Sequence, residues 1–343
     1  MTRLLDAQAV RERLGSTDAC SERLVELESI GPPSDALTLP SPDEARHLLS
    51  RLALPSRDVE SIVASLPTPT DDPELWWLLE RCHSQLVRDV GGFEPLPPWP
   101  MLPASLGERG RLFYVNVFLA TLPAIRRWHE ERGIPDEVSW ATLADLGNQV
   151  DIHRWMYGSS GLETRSWLTL HFRGGIYRLG RLQFNRSRMG PAPGRPPLFW
   201  YDAVTVDRRG SGFRPGDHAL GIHIPRGAPL APEACDSSFE WARAFFARHF
   251  PSELCRLAIC TSWLLDEQLA DYLPEDSNIV RFQRRFEIVP GAADGDGDVM
   301  RFVFGRVAPV LEELPQGTAL QRAIVRHLRA GRHWRTRTGW LEV

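Results

Sequence analysis

Three segments between residues 219 and 265 decide the fold, namely ALGIHI (219–224), PEACDSSFEWARAFFARH (232–249) and RLAICTSWLL (256–265). The first and third segments are apolar runs of strand length. The middle segment places Phe239, Ala242 and Phe246 along one stripe at helical spacing. The three segments therefore predict a strand, a helix and a second strand that runs into another helix.

Further strand signals lie upstream of these segments. The runs 167–172 and 176–184 predict two strands joined by a hairpin at Arg173-Gly174-Gly175, and the run 198–206 predicts an extra strand. Since the remainder of the chain follows with a helix and two strands, the predicted order is strand, strand, strand, helix, strand, helix, strand, strand.

The downstream part of that order comes from three short runs. Residues 278–284 predict a helix, and residues 286–289 and 299–304 predict the two arms of a hairpin. The string DGDGD at 294–298 is interpreted as the hairpin turn. It is not a calcium loop, because the twelfth position of such a loop holds a bidentate Glu and here holds Gly305.

The chain before Trp167 carries helix signals and no strand pattern. Ser41-Pro42-Asp43-Glu44 is a capping box with Pro at the first helical position. A long helix is predicted from 105 to 132, bent at Pro123 and stopped by Gly133, and a later helix is predicted at 139–157.

These patterns predict an α+β protein, with an all-helical N-terminal domain at 1–138 and a mixed β-sheet domain flanked by helices at 139–343. An apolar fraction of 43% excludes disorder over most of the chain. Apolar runs are too short for a membrane span, and the N-terminus lacks a signal pattern, which makes a cytoplasmic location the default expectation. The net charge of −4 argues against nucleic acid as the main partner.

The residue inventory removes several chemistries. Every basic residue is arginine, so no lysine can form a Schiff base. The five cysteines are scattered without a C-x-x-C pair, which excludes a zinc ribbon and a disulfide scaffold. His218 and His223 are five residues apart on a predicted strand and point to opposite faces, so they cannot share a metal. No metal site is expected.

The order of strands and helices resembles that of the GNAT-type N-acyltransferase fold from its second strand onward. Over residues 40–340 the chain is similar to a bacterial family of acyltransferase-domain proteins, with a helical N-acyltransferase N-terminal domain and a GNAT-like C-terminal domain. The strings that carry the resemblance are LGRLQF (179–184), GIHIP (221–225), CTSWLL (260–265), SNIVRFQ (277–283) and GRHW (331–334).

The resemblance implies how a thioester donor is held. In GNAT enzymes the parallel fourth and fifth strands splay apart, and the pantetheine arm of acyl-CoA pairs with the edge of strand four. Here those strands correspond to 219–224 and 256–265. The pyrophosphate is expected at the start of the helix near Pro232, where N–H groups and the helix dipole favour anions. The residues implied to contact the donor are Ile222, Ile224, Arg226 and Gly227.

The loop before that helix departs from the GNAT pattern. The usual loop reads Gln/Arg-x-x-Gly-x-Gly/Ala, whereas residues 225–232 read PRGAPLAP, and the three prolines remove N–H donors. Three alternatives stay open: acyl-CoA is held in a different way, the donor is the phosphopantetheine arm of an acyl-carrier protein, or no donor is bound. No cofactor is expected beyond this co-substrate.

Two residues are predicted to be catalytic. His223 ends strand four beside the expected thioester, and a histidine titrates in the range where it can accept a proton from an amine. The alternative is a structural hydrogen bond to backbone. Ser262 either donates to the thiolate leaving group or caps the following helix. Cys260, on the same strand face, is either an acyl-accepting nucleophile or an apolar filler.

Three further residues are predicted to contact substrate. Gln183 and Trp263 are expected to line the acyl or amine pocket, with core packing as the alternative. Tyr272 follows strand five, near the place where GNAT enzymes often keep a tyrosine as general acid, and core packing is again the alternative. The arginines and histidines of 326–337 either bind phosphate or form the solvated face of a helix.

Two functions are compatible with these features. The first is an acyltransferase that moves an acyl group from acyl-CoA or an acyl-carrier protein to a small amine by direct attack. The second is a catalytically silent GNAT-like binding or interaction protein. The order of strands and His223 favour the first, and the proline-rich loop at 225–232 favours the second.

Overall fold

The computed structural model of the protein describes residues 5–15, 21–190, 216–307 and 310–343. Contacts within the chain group it into two compact units, Met1–Gly175 and Ile176–Val343. The domain boundary expected after residue 138 stays a prediction, and by contacts the helices that follow it belong to the first unit. The strand expected at 198–206 lies outside the described residues.

The first unit contains helices and no strand within its described residues, as the sequence predicts for the part of the chain before Trp167. Two neighbouring helices, α7 and α8, occupy the region where one helix is expected. The helices are α1 (Ala7–Leu14), α2 (Ser21–Ile30), α3 (Pro42–Arg51), α4 (Ser56–Ala64), α5 (Pro73–Arg88), α6 (Gly107–Glu131), α7 (Asp136–Leu143), α8 (Asp145–Tyr157) and α9 (Arg165–His171).

Local chemistry explains where these helices begin and end. Ser41 and Glu44 exchange the two bonds of a capping box at the start of α3. The long helix α6 keeps Pro123 in its interior and is followed by Gly133 in the left-handed region at φ 65°. Its apolar residues, Phe113 and Phe118 among them, are buried in the core of this unit.

The second unit is a mixed seven-stranded sheet with helices, which confirms the predicted α+β class. Its strands are ordered β1-β2-β3-β4-β7-β5, with β6 pairing β7. Only β3 and β4 are parallel among the paired strands of this sheet's described residues. The strands are β1 (Ile176–Leu179), β2 (Leu182–Arg188), β3 (His218–His223), β4 (Leu257–Ser262), β5 (Glu287–Ile288), β6 (Ala293–Asp294) and β7 (Arg335–Glu342).

The helices of the second unit are α10 (Pro232–His249), α11 (Asn278–Gln283), α12 (Asp296–Val299) and α13 (Ala319–Arg329). Helix α10 provides the crossover between the parallel strands β3 and β4, as the resemblance implies. Its aromatic stripe packs on the sheet, where Phe245 contacts the Tyr177 ring and Phe239 contacts Phe184.

The structure contradicts two predicted hairpins. Residues 167–172 lie largely in helix α9, because a short apolar run fits a buried helix as well as a strand. The hairpin of this region lies further on, where β1 and β2 meet at Gly180 with a φ of 69°. Residues 299–304 continue α12 as a helical turn, and the sheet is instead completed by β7.

Candidate functional site

The parallel strands β3 and β4 separate towards their C-terminal ends. They pair at two positions, Leu220 with Ala258 and Gly221 with Ile259. Beyond that point β3 continues to His223 on its β2 side, and β4 continues to its last residue on its β7 side. Both strands are described in full, so the end of this pairing marks a gap between two strands that each remain in the sheet.

The two faces of the sheet differ in chemistry. Tyr177 and Phe184, opposite each other on β1 and β2, face the aromatic stripe of α10. The other face of β2 carries polar residues at alternate positions, and we call this side of β2 and β3 the polar face. Its members on β2 and β3 are Gln183, Asn185, Ser187, Gly221 and His223.

His223 is anchored on the polar face by a neighbouring strand. It lies directly opposite Gln183, which is 3% exposed. Its Nε2 is 2.7 Å from Oδ1 of Asn185, a residue with no exposed surface. The predicted base is therefore held at the end of β3, on the strand that borders the gap, by a contact with the side-chain amide of Asn185.

The loop between β3 and α10 is braced by Arg181, a residue that the sequence analysis missed. Arg181 lies in the β1–β2 turn. Its Nε donates to the Pro229 carbonyl at 3.0 Å, and its Nη1 donates to the Pro225 carbonyl at 2.9 Å. Its own backbone N–H donates to the Ser238 hydroxyl of α10 at 2.9 Å. These bonds connect the turn, the loop and the helix.

The Arg181 side chain is a buried cation whose contacts in the described chain include no carboxylate. The residue is 9% exposed, and burial, followed by the charge of Arg178, lowers the pKa of its guanidinium. An anion bound beside this loop would offset the cost of burying that charge.

The start of α10 has the features of an anion site. Pro232 occupies the first turn, and no side chain caps the helix at Ala231. Arg285 donates to the Pro232 carbonyl at 3.1 Å and to Asp236 at 2.6 Å. Burial raises the pKa of the Cys235 thiol, and the charges of Arg285 and Arg181 oppose this increase. Two guanidinium groups therefore flank the first turn of a helix without a side-chain cap.

The four residues expected to contact the donor lie at the end of β3 and in this loop. Ile222 is 2% exposed, whereas Ile224 is half-buried and Arg226 is exposed. Gly227 has a φ of 122°, and a Cβ at this position would meet no atom within 4 Å. The left-handed backbone, rather than crowding, is what favours glycine at this position.

Ser262 and Cys260 lie on the face of β4 opposite to the polar face. The Ser262 hydroxyl accepts a hydrogen bond from the backbone N–H of Leu264 at 3.1 Å and caps the turn that follows β4. Its O–H proton is not used by this bond. Cys260 is 1% exposed, and burial raises the pKa of its thiol to about 12. A thiol held in this way is a poor nucleophile near neutral pH.

Trp263 and Tyr272 pack in a hydrophobic cluster with Trp334. Trp263 is 6% exposed. The Tyr272 hydroxyl is 3.1 Å from Nδ1 of His327, and its ring contacts Trp334. These contacts agree with the packing alternative for both residues.

The arginine-rich segment 326–337 is divided between α13 and β7. Arg332 bonds to Asp271 and to Gln268, and Arg337 bonds to Glu267. The described residues contain no group of three or more His, Cys, Asp or Glu that could hold a metal ion. Nor does the described part of the chain contain a helix long and apolar enough to cross a membrane.

Family models match both parts of the chain. The N-acyltransferase N-terminal domain matches residues 43–174, and the GNAT-like C-terminal domain matches residues 176–341. No curated protein sequence matches the chain significantly.

Solved structures match the chain along its length. One crystal structure of an acyltransferase in complex with decanoyl-CoA and teicoplanin is 44% identical, covers 98% of this chain and 99% of its own, and superposes with a TM-score of 0.88. An acyltransferase mutant in complex with octanoyl-CoA is 43% identical over 99% of this chain and 100% of its own, with a TM-score of 0.88. An acyltransferase in complex with CoA and 10C-teicoplanin is 43% identical over 98% of this chain and 99% of its own, with a TM-score of 0.87.

Proposed function

The chain belongs to the acyltransferase family that joins an N-acyltransferase N-terminal domain to a GNAT-like C-terminal domain, and we propose that it transfers a medium-length acyl group from acyl-CoA to an amine. The observation that carries the proposal is the gap between β3 and β4 beyond Gly221 and Ile259. A gap between parallel strands offers a backbone edge to an extended pantetheine arm, in the manner of an added strand.

The loop and the start of α10 support coenzyme A as the donor. Arg181 and Arg285 supply positive charge beside the first turn of the helix, where unpaired N–H groups also favour anions. In other GNAT enzymes the glycine-rich loop binds the pyrophosphate through its backbone N–H groups. In this chain the positive charge of the two arginines is proposed to replace part of that interaction. Relatives bound to decanoyl-CoA and octanoyl-CoA favour a donor chain of eight to ten carbons. An acyl-carrier protein is the alternative source of the same pantetheine arm.

The transfer step uses groups on both strands that border the gap. The neutral amine attacks the thioester carbonyl carbon, a C–N bond forms, and the C–S bond breaks. The proton of the amine passes to His223, and the coenzyme A thiolate leaves with a hydrogen bond from the Ser262 O–H. The thiolate then takes up a proton from solvent, and the His223 imidazolium returns its proton to solvent, so that the base is neutral again. The products are an amide and free coenzyme A.

The acceptor is proposed to be a primary amine on a larger molecule. Relatives form complexes with teicoplanin and with 10C-teicoplanin, which favours an acceptor bigger than the small amine expected from the sequence. Gln183, buried opposite His223 on the polar face, is proposed to contact the acceptor. Trp263 and Tyr272 are proposed to support the acyl end through the cluster that follows β4. Since acyl-CoA is an intracellular metabolite, this donor also fits a cytoplasmic location.

A silent binding protein is the second candidate. The three prolines at 225, 229 and 232 remove backbone donors from the loop that meets pyrophosphate in GNAT enzymes. Under this alternative the gap between β3 and β4 binds a ligand and no acyl group is transferred.

Native mass spectrometry with a panel of acyl-CoA and acyl-carrier donors distinguishes these possibilities. We expect one molecule of octanoyl-CoA or decanoyl-CoA per chain and a higher melting temperature in its presence. Binding of acyl-carrier protein with no binding of acyl-CoA would assign the donor to the carrier. Binding of neither donor would contradict the proposal.

A further inference from the structure

We propose that Asn185 is a positioning residue for the transfer, because it fixes which nitrogen of His223 carries the proton. This inference rests on the proposed function, in which His223 is the base. It concerns a buried amide on β2 that neither the family resemblance nor the chemistry of the thioester assigns.

The register of the sheet brings the two side chains together. Asn185 lies opposite Gly221 on β3, and His223 is two residues further along the same face. Diagonal neighbours of this kind are within reach of each other across a strand pair. Because Gly221 has no side chain, the Asn185 side chain can extend across it, and Oδ1 of Asn185 lies 2.7 Å from Nε2 of His223.

A backbone carbonyl determines the orientation of the amide. The Asn185 Nδ2 donates to the Arg186 carbonyl at 2.9 Å, and a carbonyl can only accept. The nitrogen end of the amide must therefore face Arg186, so the end that faces His223 is Oδ1, which is also only an acceptor. The Nε2 of His223 consequently carries a hydrogen.

This assignment decides the chemistry of the imidazole. A neutral histidine carries one proton, and the hydrogen bond made by one nitrogen determines the state of the other. With the proton on Nε2, the lone pair that accepts the proton of the amine is on Nδ1. The bond also orients the ring, because Asn185 has no exposed surface and is held by its second bond.

Nitrogen-15 NMR of histidine-labelled protein tests the inference without reference to activity. The His223 signals are assigned by their loss in His223→Ala. We expect a protonated Nε2 and an unprotonated Nδ1 above the midpoint of its titration. Replacing the amide with a carboxylate in Asn185→Asp should stabilise the imidazolium and raise the pKa of His223 by about 1 unit or more. A proton on Nδ1 in the wild-type protein, or an unchanged titration in Asn185→Asp, would overturn the inference.

Kinetics provide the second readout. Asn185→Leu should lower kcat by about 10–100-fold, by analogy with the loss of outer-shell residues that orient metal-binding histidines, with a smaller change in the KM for the donor. In Asn185→Asp, the acid limb of the rate profile should move to higher pH together with the NMR titration. Ser187→Ala, at a buried position on the same face and two residues from Asn185, is the matched control and should change neither readout.

A double mutant separates this inference from the proposed function. If Asn185 acts through His223, Asn185→Leu should have little further effect on the rate in a His223→Ala background. If His223→Ala is fully active, the assignment of the base fails, while the NMR result still decides whether Asn185 fixes the tautomer. An equal loss from Asn185→Leu in both backgrounds would show a structural role and overturn the inference.

Discussion

Gly221 and Ile259 form the last pair between the two parallel strands of the sheet, although both strands continue beyond it. The strands remain attached to their other neighbours, so the gap is a built feature of the sheet and does not come from a frayed edge. His223 ends one of the bordering strands and Ser262 ends the other. This arrangement places His223 and Ser262 beside the only parallel pair in the described sheet.

Removal of the proposed base should lower the rate of transfer much more than it lowers the stability of the fold. We expect His223→Ala to lower kcat by about 10²–10⁴-fold, the usual contribution of a positioned base. Its half-buried position and its hydrogen bond to Asn185 predict a modest loss of stability, about 1 kcal/mol. Single-turnover rates and urea unfolding check both expectations. Full activity per folded molecule together with a large loss of stability would assign His223 to the structure.

Removal of the Arg181 charge should weaken binding of the pyrophosphate end of acyl-CoA. Arg181→Met removes donors to the Pro225 and Pro229 carbonyls and should raise the KM for acyl-CoA by about 10-fold or more, since hydrogen bonds to charged groups contribute about 1.5–3 kcal/mol each. The KM for an acyl-pantetheine without pyrophosphate should change less. Arg178→Met, which alters an arginine of the same hairpin, is the control. An equal effect on both donors would argue against an anion site at this loop.

The route of transfer should not pass through an acyl-cysteine. Burial raises the pKa of the Cys260 thiol to about 12, so very little thiolate is present near neutral pH. Cys260→Ala should therefore keep its transfer rate per folded molecule, and native protein should resist alkylation at this residue. Intact-mass analysis after mixing with donor alone should show no covalent adduct. A stoichiometric acyl adduct on Cys260 would contradict direct attack.

Acidification should destabilise the helical unit through His129. Burial, assisted by the charge of Arg126, lowers the pKa of His129 to about 3, and its Nδ1 is 2.7 Å from the Ser139 hydroxyl. The unfolded chain takes up a proton near pH 6.5, whereas the folded chain does not. The contribution of His129 to the free energy of unfolding is therefore fully present above pH 6.5 and decreases as the pH falls towards 3. At pH 5 the free energy of unfolding should be lower by about 2 kcal/mol.

Urea unfolding at pH 7 and pH 5 measures this effect. His129→Gln, which cannot take up a proton, should be less sensitive to the change in pH than the wild-type protein. The same sensitivity in both proteins would show that another group is responsible.

The sequence predicts the core of the second unit well and its edges poorly. Helix α10 spans Pro232–His249 as predicted, because Pro232 marks its first turn and its aromatic residues repeat at helical spacing. Strand β7 was missed, because RTRTGWLE has few apolar residues and forms a strand through pairing with β4, β5 and β6. A strand that is stabilised by pairing with distant strands need not show alternating apolar residues in its own sequence.

The candidate site residues show the same limit. His223 is predicted from sequence because it ends an apolar strand, whereas Arg181 and Asn185 contact partners 38 or more residues away in the sequence. One signal was present: Gln183, Asn185 and Ser187 alternate along a strand whose other face is apolar or basic. Each polar group on a buried strand needs a hydrogen-bond partner, so this alternation predicts contacts such as the one between Asn185 and His223.

Mass spectrometry of the products formed from decanoyl-CoA and a panel of primary amines, teicoplanin among them, tests the central claim most directly. The account predicts an amide that carries a ten-carbon acyl group, formed in equal amount with free coenzyme A and lost in His223→Ala. Stable binding of decanoyl-CoA in the gap beyond Gly221 and Ile259, with neither amide nor free coenzyme A produced from any amine, would contradict it and assign the chain to the silent binding proteins.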